Sequence, residues 1–236
     1  MAIQMAASHA ASKRLKDAIF GASAACRAAI EKHGADRVTN ATIGAVMDDA
    51  GNLAHLPTVE RIFRSLPIED YIAYAPISGL PEYLEAVVDI TFADHRPAGF
   101  LGAIATAGGT GALRLAIANY VEKGEYALTS DWFWGTYGVI CQEHGCALTN
   151  FKLFDEHNQF NHTAFADTVE SLCKVQDSLL IILNTPAHNP TGYSLSLTDW
   201  EHVLDVIKAY AAKGKKINLL IDIAYIDYAG EKLETR

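Results

Sequence analysis

The fold is decided by a stretch that begins with LLIILNTPAHNPTG (residues 179–192) and ends with INLLIDIAY (residues 217–225). Each end holds a short, mostly apolar run, and the residues between the two runs include an apolar stripe at helical spacing. A strand, a helix and a second strand in this order normally form a crossover between parallel strands. The pattern therefore predicts an α/β fold with a parallel sheet covered by helices on both faces.

Polar residues follow both predicted strands. Asn189 comes shortly after the first run, and Asp222 comes directly after the second. In an open α/β sheet, ligands bind at the carboxyl ends of the strands. We therefore expect Asn189 and Asp222 to meet the same ligand.

Composition excludes several classes of protein. The chain has 236 residues, half of them hydrophobic, and 28 acidic residues against 19 Lys and Arg give a net charge of −9. This balance lacks the basic footprint of a nucleic-acid binder, so we expect no nucleic-acid partner. No apolar run approaches the ~20 residues of a membrane helix, so we expect no membrane association. The four cysteines form no C-x-x-C pair, which favours a reduced, cytoplasmic setting and gives no metal site.

A glycine cluster, Gly108-Gly109-Thr110-Gly111, stands between a strand-like apolar run at Leu101–Ala107 and a helical pattern. Glycines at a helix N-terminus leave bare N–H groups, and the helix dipole favours an anion there. The cluster therefore predicts a phosphate site, although such turns also occur for steric reasons. Gly109, Gly111 and the later Asp131 also imitate a dinucleotide fingerprint, but its third glycine is replaced by Arg114.

Three large aromatic residues, Trp132, Phe133 and Trp134, follow a predicted strand at Tyr126–Ser130. Three consecutive side chains cannot all face one core, so at least one should line a cleft. Farther along, Ser196-Leu197-Thr198-Asp199 predicts a capping box at the start of the crossover helix, with Asp in the place of Glu.

Four motifs, taken in chain order, resemble those of one family. They are Tyr74-Ala75-Pro76-Ile77-x-Gly79, Gly108-Gly109-Thr110-Gly111, Asn189-Pro190-Thr191-Gly192 and Asp222-x-Ala224-Tyr225. Together they are similar to the pyridoxal-phosphate aminotransferases of fold type I, particularly the aspartate and aromatic amino-acid group. The resemblance implies a three-layer α/β/α fold with a mostly parallel sheet, pyridoxal 5′-phosphate as cofactor, an amino acid and a 2-oxo acid as substrates, and a homodimer.

The resemblance also implies a role for each matching residue. The carboxylate of Asp222 would pair with the pyridine nitrogen and hold it protonated, which lets the ring act as an electron sink. Asn189 and Tyr225 would hydrogen-bond the phenolic oxygen of the cofactor, and Trp134, with Trp132 as its rival, would stack on the ring. Gly108, Gly109 and Thr110 would bind the phosphate. Tyr74 would reach across the dimer interface to the phosphate of the partner's cofactor. Gly44 would join Trp134 and Asn189 at the substrate, unless it serves only a turn. The family commonly has a hydroxyl at the position of Gly108, so Thr110 would supply the remaining one.

The resemblance finally implies a lysine that forms the Schiff base with the cofactor, some tens of residues beyond the aspartate. The sequence reaches only Arg236, and Lys232 is too close to Asp222 for that role. We therefore expect residues 1–55 to form an N-terminal arm with part of a small domain, and residues 56–236 an incomplete cofactor-binding large domain. We also expect the chain to be an inactive N-terminal portion of the enzyme.

Three alternatives stay open at this stage, and one of them, a noncatalytic binding module or regulatory fragment, follows if the missing lysine reflects biology rather than truncation. A β-eliminating lyase or a decarboxylase of the same fold would use the same ring contacts, and a nicotinamide dehydrogenase would use the glycine cluster. The dehydrogenase would leave Asn189 and Asp222 unexplained. His188 also has two interpretations: it could hydrogen-bond Asp222 and orient that carboxylate, or it could lie in a solvated loop.

Overall fold

The computed structural model describes residues 5, 7–11, 18–42, 44–48 and 51–230. They belong to two compact units, residues 1–74 and 75–236. The first unit contains the helices α1 (Ser8–Ala11), α2 (Ala18–His33), α3 (Pro57–Ser65) and α4 (Glu69–Ile72), with a short 3₁₀ turn at Ala35–Arg37. The domain boundary expected after residue 55 stays a prediction.

The second unit alternates helices and strands. In chain order these are α5 (Pro81–Phe92), α6 (Gly108–Tyr120), β1 (Tyr126–Ser130), α7 (Thr136–His144), β2 (Ala147–Phe151), α8 (His162–Val175), β3 (Ser178–Asn184), α9 (Leu197–Ala211) and β4 (Lys216–Asp222), followed by a 3₁₀ turn at Ile226–Tyr228. The strands form one sheet in the order β2-β1-β3-β4, and every pair is parallel. The parallel crossover predicted between residues 179 and 225 is confirmed.

Helices cover both faces of this sheet. Alternate residues of β3 face opposite ways, and each set packs against a different layer of helices. Leu179, Ile181 and Leu183 pack in one apolar cluster with residues of α8 and α9. Leu180 and Ile182 pack in a second cluster with residues of α6 and α7. The predicted three-layer α/β/α fold with a parallel sheet is therefore confirmed.

The predicted strand at Leu101–Ala107 is wrong. Within the described residues this segment pairs with no strand of the sheet, and the Ala105 N–H donates instead to the Ser78 carbonyl at 2.7 Å. An apolar run alone does not identify a strand, because a strand also needs a neighbour to complete its ladder. Among the helices in the described part of the chain, none is long and apolar enough to cross a membrane.

The predicted capping box at the start of α9 is confirmed. The Ser196 hydroxyl accepts from the Asp199 N–H at 3.2 Å, and Asp199 Oδ2 accepts from the Ser196 N–H at 2.9 Å. Asp199 is buried and also accepts from the Tyr193 hydroxyl at 2.9 Å, while its Oδ1 lies 2.6 Å from His162 Nε2. Burial raises the pKa of Asp199, but the hydrogen bonds from Ser196, His162 and Tyr193 outweigh burial and hold the pKa below its ordinary value of 3.8.

Replacing Asp199 by Ala should lower the free energy of unfolding by about 1–3 kcal/mol, because the Ser196 N–H and the Tyr193 hydroxyl both lose their acceptor. Since the folded-state pKa is depressed, the stabilisation is present above about pH 4 and is lost as the pH falls through the folded-state pKa. Urea unfolding between pH 3 and pH 7 measures both effects. Asp205→Ala, an exposed change on the same helix, should stay within about 0.5 kcal/mol of the wild type. Equal losses in the two variants would contradict the assigned role.

Candidate functional site

A cavity of about 660 Å³ lies in the second unit, where β3 and β4 end and α6 begins. Its apolar wall comes from α6 and β4, and its polar and aromatic lining consists of Gly109, Thr110, Trp134, Tyr137, Asn184, Asn189, Asp222 and Tyr225. The parallel register puts Asn184, the last residue of β3, opposite Asp222, the last residue of β4. The carboxyl ends of neighbouring strands thus build one hollow, as expected for an α/β sheet.

The carboxylate of Asp222 is held by two donors from different elements. Its Oδ2 accepts a hydrogen bond from the Tyr137 hydroxyl at 2.5 Å, and its Oδ1 accepts from the Ala224 N–H at 3.1 Å. Burial raises the pKa of Tyr137 well above its ordinary value, and the Asp222 carboxylate raises it further. Tyr137 is therefore a neutral hydrogen-bond donor throughout the ordinary pH range.

Asn184 joins the two strand ends. This buried side chain donates through Nδ2 to the Asp222 carbonyl at 2.7 Å and accepts through Oδ1 from the Asn189 N–H at 2.6 Å. Asn189 in turn donates from Nδ2 to the Tyr225 hydroxyl at 3.1 Å. One hydrogen-bonded chain thus connects Asp222, Asn184, Asn189 and Tyr225.

The glycine cluster forms the first turn of α6. The Gly108 N–H already donates to the Thr106 carbonyl at 2.8 Å, and Gly108 has a φ of +69°, which favours glycine. A Cβ added to Gly111 would lie 3.3 Å from the Ala107 Cβ, whereas one added to Gly109 would meet nothing within 4 Å. Packing therefore explains Gly111 but not Gly109. First-turn N–H groups such as those of Gly109 and Thr110 have no partner inside their own helix, and here both residues line the cavity.

The aromatic triplet separates as expected. Trp134 is half-buried, lines the cavity and packs edge-to-face on Tyr137, with ring centroids 5.8 Å apart and an interplanar angle of 87°. Trp132 is 54% exposed and does not line the cavity. The geometry thus favours Trp134 over Trp132 as the aromatic wall of the pocket.

Six predicted site residues therefore line one cavity: Gly109, Thr110, Trp134, Asn189, Asp222 and Tyr225. Gly108 precedes them in the chain and is not among the lining residues, and its N–H donates to Thr106, so its contact with the cofactor stays a prediction. Gly44 and Tyr74 belong to the first unit, and their contacts stay predictions.

The sequence reasoning missed Tyr137 and Asn184. Asn184 could have been predicted from the sequence, because it is the polar residue that ends a buried strand. Tyr137 had only its position one turn after Trp134.

The suggested bond between His188 and Asp222 is wrong, and so is the solvated alternative. His188 is buried, its Nδ1 lies 2.8 Å from the Thr191 hydroxyl, and its Nε2 lies 3.5 Å from the Ser130 hydroxyl. Burial lowers its pKa. Tyr137 occupies the position beside Asp222 that His188 was expected to take. Within the described residues, no three His, Cys, Asp or Glu side chains come together as a metal site.

Comparison with known proteins identifies relatives over most of the chain. The family described as "Aminotransferase class I and II" matches residues 37–235. An aspartate aminotransferase of Pseudomonas aeruginosa is 29% identical over 194 residues, which are 79% of this chain and 46% of the relative. An aromatic-amino-acid aminotransferase of Paracoccus denitrificans is 27% identical over 81% of this chain and 48% of the relative. The chain thus spans about half the length of the curated relatives it matches.

Solved structures agree in fold. An aminotransferase from Anaerococcus prevotii superposes with a TM-score of 0.92 at 35% identity, covering 97% of this chain and 56% of that one. An aromatic-amino-acid aminotransferase from Burkholderia pseudomallei, described as covalently bound to pyridoxal phosphate, has a TM-score of 0.70 at 24% identity, covering 95% of this chain and 55% of that one.

Replacing Asn184 by Ala should lower the free energy of unfolding by about 1–3 kcal/mol, because the partly buried Asn189 N–H loses its acceptor. Urea unfolding measures the change. The matched control is Asn119→Ala on α6, where the exposed side chain donates to the Leu115 carbonyl at 2.7 Å, and it should cost no more than about 0.5 kcal/mol. An Asn184→Ala variant as stable as the control would show that the bridge contributes little.

Proposed function

Because the chain belongs to the class I and II aminotransferases, we propose that its cavity binds pyridoxal 5′-phosphate and that the whole protein transfers an amino group from an amino acid to a 2-oxo acid. One observation carries the proposal. The Asp222 carboxylate and the first turn of α6 line the same cavity. A flat, phosphorylated heterocycle needs such a pair, an anion for its ring nitrogen and N–H groups for its phosphate.

The residues present fit this cofactor by their chemistry. Asp222 offers carboxylate oxygens that can each accept a further hydrogen bond. Asn189 and Tyr225, already bonded to each other, offer an amide and a phenol for the ring's phenolic oxygen. Gly109 and Thr110 offer N–H groups and a hydroxyl for the phosphate, and Trp134 offers an aromatic wall. When bound, the cofactor supplies an electron sink for the substrate's Cα, and a carboxylate at its ring nitrogen favours the protonated ring that this requires.

Substrate and assembly are further parts of the proposal. The aspartate and aromatic-amino-acid aminotransferases among the relatives support a dicarboxylic or aromatic amino acid as donor. Full exposure of the large side chains of Tyr74 and Ile77 supports a homodimer that covers them, with Tyr74 reaching the partner's cofactor and Gly44 lying over the substrate. The four free cysteines are consistent with a reduced, cytoplasmic setting.

The 236-residue polypeptide should take up pyridoxal 5′-phosphate, and Asp222→Ala should weaken uptake about 10- to 100-fold, the value of one hydrogen bond to a charged group. Equilibrium dialysis with visible absorbance measures the affinity, and thermal unfolding checks the fold of the variant. Asp205→Ala is the control, since Asp205 is exposed on α9 and is absent from the cavity lining. Failure to bind the cofactor, or equal binding by wild type and Asp222→Ala, would count against the proposed site. Nicotinamide dinucleotide binding in its place would favour the dehydrogenase.

We also expect little amino transfer by this polypeptide alone, because none of the described residues that line the cavity is a lysine. Loss of a general base typically lowers the rate 10²- to 10⁴-fold, and the Schiff-base lysine would be both that base and the covalent anchor of the cofactor. Coupled assays with aspartate or tyrosine as donor measure turnover. Borohydride reduction followed by peptide mapping reports any lysine bonded to the cofactor. Robust turnover with a labelled lysine among these 236 residues would refute this expectation.

A further inference from the structure

We propose that Tyr137 is a positioning residue, which holds the Asp222 carboxylate in place for the ring nitrogen of the cofactor. The inference rests on the proposed function and extends it to a residue that contacts the carboxylate rather than the reacting atoms. Tyr137 and Asp222 are 85 residues apart in the chain, and the Tyr137 hydroxyl donates to Asp222 Oδ2 at 2.5 Å.

The direction of this phenol is determined by its own surroundings. Tyr137 is 1% exposed, it lies in the first turn of α7, and its N–H donates to the Trp134 carbonyl at 3.0 Å. Its ring packs on the edge of Trp134 and within the apolar cluster formed by α6, α7 and the sheet. A buried ring held on several sides has few alternative positions for its hydroxyl, so the donor is preorganised.

The carboxylate is consequently held from both ends. Tyr137 donates to Oδ2 from α7, and the Ala224 N–H donates to Oδ1 at 3.1 Å from the segment after β4. Two donors from separate elements oppose rotation of the carboxylate about its Cβ–Cγ bond. Each oxygen keeps capacity for one more hydrogen bond, which a ring N–H can use.

A neutral donor is better suited than a cation to hold the Asp222 carboxylate in place. A lysine or arginine beside Asp222 would compensate its charge and weaken its attraction for a protonated ring nitrogen. The Tyr137 hydroxyl orients the carboxylate without neutralising it. Asp199 differs from Asp222, because that buried carboxylate is bonded to His162 and does not line the cavity.

The test uses two ligands that differ at one atom: pyridoxal 5′-phosphate and its 1-deaza analogue, in which C–H replaces the ring nitrogen. Tyr137→Phe should weaken binding of pyridoxal 5′-phosphate about 3- to 10-fold and change binding of the analogue less than about twofold, because the analogue makes no bond to Asp222. Equal weakening for both ligands, or none, would overturn the proposal, since a purely structural role does not distinguish them.

The matched control is Tyr193→Phe. It also deletes a phenol that donates to a carboxylate, Asp199 at 2.9 Å, but Tyr193 does not line this cavity. Both ligands should bind this variant as they bind the wild type. If the wild type binds neither ligand, the proposed function itself fails. If the wild type prefers pyridoxal 5′-phosphate and Tyr137→Phe keeps the full preference, only the present inference fails.

A double-mutant cycle tests whether Tyr137 acts through Asp222. In the Asp222→Ala background, Tyr137→Phe should cause no further loss of preference for pyridoxal 5′-phosphate, and an additive loss would overturn the proposal. Should Tyr137→Phe not fold, proton NMR of the wild type replaces it. The hydroxyl proton of Tyr137 should shift when pyridoxal 5′-phosphate is added and should not shift with the analogue. An identical response to both ligands would again overturn the proposal.

Discussion

The in-register parallel pairing of β3 with β4 is the constraint on which the site depends. It places Asn184 opposite Asp222 at the edge of the sheet, and the Asn184 side chain then bonds the Asp222 carbonyl and the Asn189 N–H. A shift of one residue would turn each side chain of β4 to the other face of the sheet. The buried apolar residues of β3 oppose such a shift, because both of its faces pack against helices.

The two helical layers contribute differently. The layer that contains α6 and α7 provides Gly109, Thr110 and Tyr137 to the cavity. The layer that contains α8 and α9 provides none of the cavity's lining, and its polar residues instead cap α9 around Asp199. One face of the sheet therefore carries the chemistry, and the other contributes packing and stability.

The two carboxylates show how burial and partners set the use of an acidic residue. Asp199 is enclosed by Ser196, Tyr193 and His162, so its hydrogen-bonding capacity is largely spent within the fold. Asp222 is held by one phenol and one backbone N–H, both neutral, and it keeps free acceptor capacity at the cavity. The same functional group thus stabilises the fold in one place and remains available to a ligand in the other.

Local pattern was sufficient for much of the fold and for part of the site. Strands β1, β3 and β4, the helix that starts at the glycine cluster and the capping box at Ser196 were all predicted, because periodicity and capping involve residues close together in the chain. The run at Leu101–Ala107 was misread because its apolar residues carry no information about a partner strand.

The sequence by itself therefore determined the order of the elements, the parallel crossover and the presence of Asp222 and Asn189 at strand ends. Only the tertiary structure decided which groups surround Asp222. Tyr137 comes from α7, 85 residues away in the chain, whereas His188, the sequence neighbour of Asn189, packs against Thr191 instead. The physical reason is that a side-chain hydrogen bond depends on the packing of whole elements, which no local spacing encodes.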